Sequence, residues 1–179
     1  MDLRPALLPP IERSTGKPDE GGVDISPEFL FPPLHVAIYE NDLNAVEYEL
    51  DKGVDVNEMN YLGWTALMTA AGHGNLEIIE TLVEHGADVK VSMPGGGTAM
   101  LIAAMDGHHE VVMALGLIGA DLNGPLRGGV SPLSAAANDG HASVIWALAS
   151  LGADVNARLK GGTTAIFYAA QCGHLDCIN

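Results

Sequence analysis

The sequence predicts an all-α repeat solenoid: helix-turn-helix pairs stacked side by side and joined by β-hairpin-like loops, in five repeats of which the last is incomplete. Three observations predict it. The phrase "GADV" ends at residue 89, "GADL" at 122 and "GADV" again at 155, with "GVDV" ending at 56, so nearly the same four residues return every 33 positions. Five segments align on that period without a gap, beginning at Pro32, Thr65, Thr98, Ser131 and Thr164. Within the last four, a hydroxyl residue, a small pair and a glycine keep the same phase.

Each element follows from that phasing. Residues 1–31 hold Pro5, Pro9, Pro10, Pro18, Pro27 and "DEGG", and read as a flexible leader. Its end, "DISPEFLF", offers Phe29 and Phe31 to cap the outer face of repeat one. The array then fills residues 32–179. Thr65, Thr98, Ser131 and Thr164 each stand before an alanine-rich run, where a hydroxyl can accept from the first free amides of a helix. Pro33 and Pro132 fall at the first helical position, where a missing N–H costs nothing. The pairs Ala70–Ala71, Ala103–Ala104, Ala136–Ala137 and Ala169–Ala170 let backbones approach closely. Gly74, Gly107, Gly140 and Gly173 close the first helix.

A second apolar run follows, with Ile78, Ile79, Leu82 and Val83 on one side at helical spacing, then Val111, Val112 and Leu115, then Val144, Ile145 and Leu148. Gly86, Gly119 and Gly152 end it, and Asp88, Asp121 and Asp154 suit the turn beyond. In repeat one Glu49 stands where Leu82, Leu115 and Leu148 are apolar, which fits an end unit meeting water. Two helices of about eight residues cannot bury their apolar faces alone, and stacked neighbours can.

The bulk properties bound the function. The chain has 179 residues with 47% apolar content, enough for a buried core. Nothing in it has the layout of a secretory signal or the length of a membrane span, so an intracellular, cytoplasmic place is the expectation. Cys172 and Cys177 give no disulfide framework. Net charge is −15, of which −12 falls in residues 1–90. Such a field disfavours nucleic acid and anionic lipid; it favours a basic partner or serves solubility.

Chemistry is weakly represented. His108, His141 and His174 recur one repeat apart, and helices packed 8–10 Å apart cannot bring three such rows to one ion with bonds near 2 Å. They read instead as histidines that hydrogen-bond between repeats. Cys172, His174 and Cys177 lack a fourth ligand, so no metal and no cofactor is expected. "MPGGGTA" and "LKGGTTA" lack the Gly-Lys-Ser/Thr ending of a phosphate loop. No nucleophile is phased with a base and an orienting group, and the segment reads as non-catalytic.

The pieces "PLH" at 33–35, "SPL" at 131–133, "GH" at 107–108, 140–141 and 173–174, and "GADVN" at 152–156 resemble the ankyrin repeat family over residues 32–179. Only His35 holds the family's first-helix histidine; Met68, Leu101, Ser134 and Phe167 replace it. The fifth repeat stops part way into its second helix, so the chain reads as part of a longer array. The resemblance implies a protein or peptide bound along a concave face made of first helices and loops. It also implies possible hydroxylation at Asn57, Asn123 and Asn156, which stand where an asparaginyl hydroxylase modifies the family's phrase.

The loops add an observation of their own. From residue 32 on there are five Lys or Arg residues, and four of them, Lys90, Arg127, Arg158 and Lys160, sit in the loops. Tyr61, Leu62, Trp64, Met93, Leu126 and Leu159 give these loops apolar tips, and aromatic, Met and Arg side chains anchor interfaces. Packing of Trp64 over its own loop is the competing reading. On the first helices the variable positions include Thr69, His73, Ile102, Met105, Asn138 and Tyr168, a mixed floor for an extended partner. The equivalent outer positions Glu47, Glu80, Met113 and Trp146 run from charge to apolar, and packing is expected of Trp146. The function that fits is a monomeric, non-catalytic protein-interaction module; a spacer within a larger protein is the alternative.

Overall fold

The structure, a computed structural model, describes residues 32–124, 129–159 and 161–178. The expected leader at 1–31, with Phe29 and Phe31, lies outside the described residues. The helices are α1 Pro33–Tyr39, α2 Leu43–Asp51, α3 Ala66–His73, α4 Leu76–Glu84, α5 Ala99–Asp106, α6 His109–Leu117, α7 Pro132–Asp139, α8 Ala142–Ser150 and α9 Ala165–Cys172, followed by a 3-10 turn at Leu175–Cys177. The odd-numbered helices pack on one another in sequence to form an inner row. The even-numbered helices form an outer row, each also packed on the first helix of its own pair. The core is therefore a continuous seam, running from Leu34 and Ile38 through Leu67, Met100 and Leu133 to Ala169.

The helix starts are built as the hydroxyl phasing predicts, with one exception. Thr65 accepts from the Met68 amide at 3.3 Å and Thr98 from Leu101 at 3.2 Å. Ser131 makes a reciprocal box with Ser134, each hydroxyl accepting from the other residue's amide. Thr164 makes no such bond, so α9 begins without a side-chain cap. Pro33 and Pro132 sit in the first turn of α1 and α7.

The first helices end on left-handed residues. Gly107 has φ 83° and also lacks room for a side chain: a Cβ there would lie 2.7 Å from the His141 ring. Gly74 and Gly140 meet His108 and His174 in the same way. The same rings bond across the joints, His108 Nε2 to the Gly72 carbonyl at 3.1 Å, His141 to Met105 at 2.9 Å and His174 to Asn138 at 3.0 Å. The bridging role that the 33-residue spacing predicts for these histidines is thus present. In repeat one the aligned position is Asn41, with φ 55°; asparagine is the residue type that best tolerates that region after glycine.

No strand occurs among the described residues, so the hairpin-like loops are not seen as paired strands there. Each described loop tip is instead a short reversal closed by two bonds. Asn60 N–H donates to the Trp64 carbonyl and Gly63 N–H to Asn60; Met93 with Gly97 and Gly96, and Leu159 with Thr163 and Gly162, repeat the arrangement. These reversals are too short to form a ladder.

Candidate functional site

The site predicted on the loops and first helices divides by burial. Trp64 is only 8% exposed, and Thr69, Ile102 and Met105 are buried as well. Trp64 and Ile102 belong to the seam, Thr69 meets His35 beside it, and Met105 packs with Leu101 and Ala135 in a second, small cluster, so their burial corrects the exposed floor expected of them. The reason for Trp64 is local. Asn60 Oδ1 accepts from both the Leu62 and the Trp64 amides at 3.0 Å, folding the loop so that the indole lies over Gly72 of α3. Asn60 is itself buried and was not singled out by sequence reasoning; its only signal is an asparagine at the loop start, where Met93 and Leu159 stand in the other repeats.

The remaining predicted residues differ in burial. Tyr61, Asn138 and Arg158 are exposed, and His73, Met93 and Tyr168 are half-buried. His73 Nδ1 lies 2.8 Å from the Thr69 carbonyl, and its ring meets Tyr39 edge-on at 5.3 Å, so it is held across the first joint. Tyr168 packs edge-on against Phe167 at 5.9 Å. Arg127 and Lys160 lie outside the described residues.

The loop asparagines have a structural task. Asn57 Nδ2 donates to the Gly86 carbonyl at 3.2 Å, and its Oδ1 accepts from the Asp88 amide at 2.8 Å, tying loop one to loop two. Asn123 Oδ1 accepts from the Asp154 amide at 2.9 Å, tying loop three to loop four. Asn156 is exposed.

The buried titratable group is His35. Its Nδ1 lies 3.0 Å from Thr69 Oγ1 and 3.5 Å from Asn60 Nδ2, and the ring is buried. Burial lowers its pKa from 6.5 to about 4, the backbone of Glu58 opposing the shift in part. The ring is therefore neutral at pH 7, a structural group and not a proton carrier.

The outer row holds a feature that sequence reasoning read the other way. Trp146 is 72% exposed and does not pack over its neighbours. Leu117, 75% exposed, and Ile118 stand on the adjacent outer helix end, one turn on from Met113, the residue equivalent to Trp146. The alignment carried the signal for both, since Leu117 and Ile118 replace Glu84 and His85 of the preceding repeat.

Among the described residues no group of three His, Cys, Asp or Glu side chains is placed to hold a metal ion, and no helix is long and apolar enough to cross a membrane. Stacked helix pairs sharing one seam define a repeat-solenoid scaffold. A family model described as ankyrin repeats in three copies matches residues 34–124 and 100–179, and the chain belongs to the ankyrin repeat family. A protein of Oryza sativa subsp. japonica described as probable E3 ubiquitin-protein ligase XBOS33 is 51% identical over 45 residues, 25% of this chain and 9% of the rice protein. The match spans a small part of that relative, and its ligase description belongs to the rice protein.

Proposed function

We propose that residues 32–179 are a protein-interaction module that receives a protein or peptide along the loop edge and the exposed ends of the first helices. The observation that carries this reading is the exposure of large side chains that the seam does not use: Tyr61 is 55% exposed and Leu62 and Met59 flank it in the same loop. Exposed aromatic and arginine side chains on a rigid support lose little entropy on binding and anchor interfaces. Tyr61, Met93, Asn138, Arg158 and Tyr168 are the proposed contacts, and Arg127 and Lys160 extend the same basic edge in the sequence. The acidic remainder of the chain favours a partner whose basic surface lies away from that edge, or none in particular.

The test is capture of partners from a lysate of the native host by the full chain and by Tyr61→Ala and Arg158→Ala variants, with helicity followed by circular dichroism. Both substitutions are at exposed positions, so helicity should be unchanged. Loss of specific partners at full helicity supports the module. Retention of every partner by both variants sinks this contact edge, and no specific capture by any form of the chain favours the spacer.

A further inference from the structure

The outward side of the outer row changes chemistry along the array. One set of equivalent positions runs Glu80, Met113, Trp146 and another Glu84, Leu117, Ser150, each residue 33 positions from the last. On α4 both positions are acidic and exposed. On α6 and α8 they turn apolar, and Leu117 and Trp146 are the two most exposed large apolar side chains among the described residues. The shortened fifth unit does not cause this exposure. A complete helix pair stands on each side of α6, which carries Leu117. A complete pair likewise stands on each side of α4, and Glu80, the counterpart of Trp146, is exposed there too. These positions point away from the seam in each repeat.

The acidic and apolar parts form one surface, because α4 packs on α6 and α6 on α8. At the second joint the approach is close: a Cβ at Gly116 would collide with Leu151, so the residue that ends α8 lies against the end of α6 that bears Leu117 and Ile118. Met113 is half-buried on the seam below them. None of the three helices contains a lysine or arginine.

We infer that the outward side of α4, α6 and α8 is a second docking surface, for a helix of a partner protein that is basic at one end and apolar at the other. The charge on α4 selects the basic end, and Leu117 and Trp146 select the apolar end. A helix suits the face because the outer row keeps its backbone groups within its own helices and offers no edge to an extended strand. With neighbouring helices 8–10 Å apart, α4 to α8 spans about 16–20 Å, or roughly 11–13 residues of a helix lying across them. A second copy of the chain fits less well, since each carries a net charge of −15. This surface lies on the outer row, so the inference does not rest on the loop-edge reading.

The experiment titrates the full chain with a labelled, capped, alanine-rich helical peptide of about 15 residues, with arginines in its first two turns and leucine and phenylalanine in its last two. A second peptide has glutamate for arginine. Saturable binding of the arginine peptide is expected, with a blue shift of tryptophan emission, because Trp146 is exposed and Trp64 is already buried. Leu117→Ala and Trp146→Ala, both at exposed positions, should keep the helicity and weaken binding about tenfold or more. Glu80→Gln combined with Glu84→Gln should weaken it roughly threefold and remove most of its salt dependence. No saturable binding, equal binding of the glutamate peptide, or unchanged affinity in both apolar variants would each overturn the assignment. Sedimentation velocity of the chain alone tests the other occupant. A monomer supports the inference, and a dimer that Trp146→Ala dissociates would give the face to a second copy and overturn it.

Discussion

His35 joins the first two repeats, and its burial disfavours the charged ring. Its folded pKa of about 4 lies below the ordinary 6.5, so the folded state resists protonation more than the unfolded chain does. The stability this contributes is present above about pH 6.5 and is lost as pH falls toward 4. A shift of that size corresponds to on the order of 3 kcal/mol below both values. Denaturant melts between pH 7 and 4 should therefore show a flatter pH dependence for His35→Gln than for the native chain, even though the variant starts lower at pH 7; parallel curves would refute the assignment. At Gly107 two constraints coincide, a left-handed φ and the His141 ring, whereas Gly173 has φ 79° and nothing within 4 Å of where a Cβ would stand. Alanine at either position pays roughly 1–2 kcal/mol for the backbone. Gly107→Ala must in addition displace the ring that bonds to Met105. Equilibrium unfolding should rank Gly107→Ala clearly below Gly173→Ala, and equal midpoints would mean that the ring yields freely.

At the scale of the element, the helix starts were readable because a cap is local: the hydroxyl and the amides it serves are three residues apart. Reading the residue type still overstated the case at Thr164, whose hydroxyl makes no cap bond. Thr98→Ala should cost about 1 kcal/mol, as for other lost caps, and Thr164→Ala should cost little, both read as shifts in the urea midpoint. The loops illustrate the opposite limit. Their Gly-rich composition suggested hairpin-like reversals, and in three described loops the chain turns back through two backbone bonds with no strand assigned. The outer helices were readable on their inward side, where Ile78, Ile79 and Leu82 are buried at helical spacing. Their outward side was not, because Trp146 could have folded down or stood out without any change in the periodic pattern.

For the whole molecule, stability passes from neighbour to neighbour. Leu67, Met100 and Leu133 are at most 5% exposed, because each lies between its own pair and the next. Their counterpart Ile166 is 55% exposed and Phe167 is 51% exposed, so α9 is covered on one side only. Burying a side chain of this size contributes about 1.5–3 kcal/mol, which Ile166 and Phe167 do not gain within the described residues. Amides of Ala165–Cys172 should accordingly exchange at least roughly tenfold faster than those of Ala99–Asp106 in the same chain. Uniform protection across the inner row would argue that the array opens only as a unit.

The 33-residue period by itself determined the architecture, the helix order and the bridging histidines, because these depend on residues at fixed short separations repeated in phase. Tyr61, Asn138 and Arg158 are exposed in the structure. Only the tertiary structure decided that Trp64, Thr69, Ile102 and Met105 are buried and that Trp146 faces outward. The physical reason is that burial depends on what the adjacent repeat places opposite a side chain. A one-dimensional repeat states which positions are equivalent, but the side of the seam on which a large side chain comes to rest is settled by contacts between units.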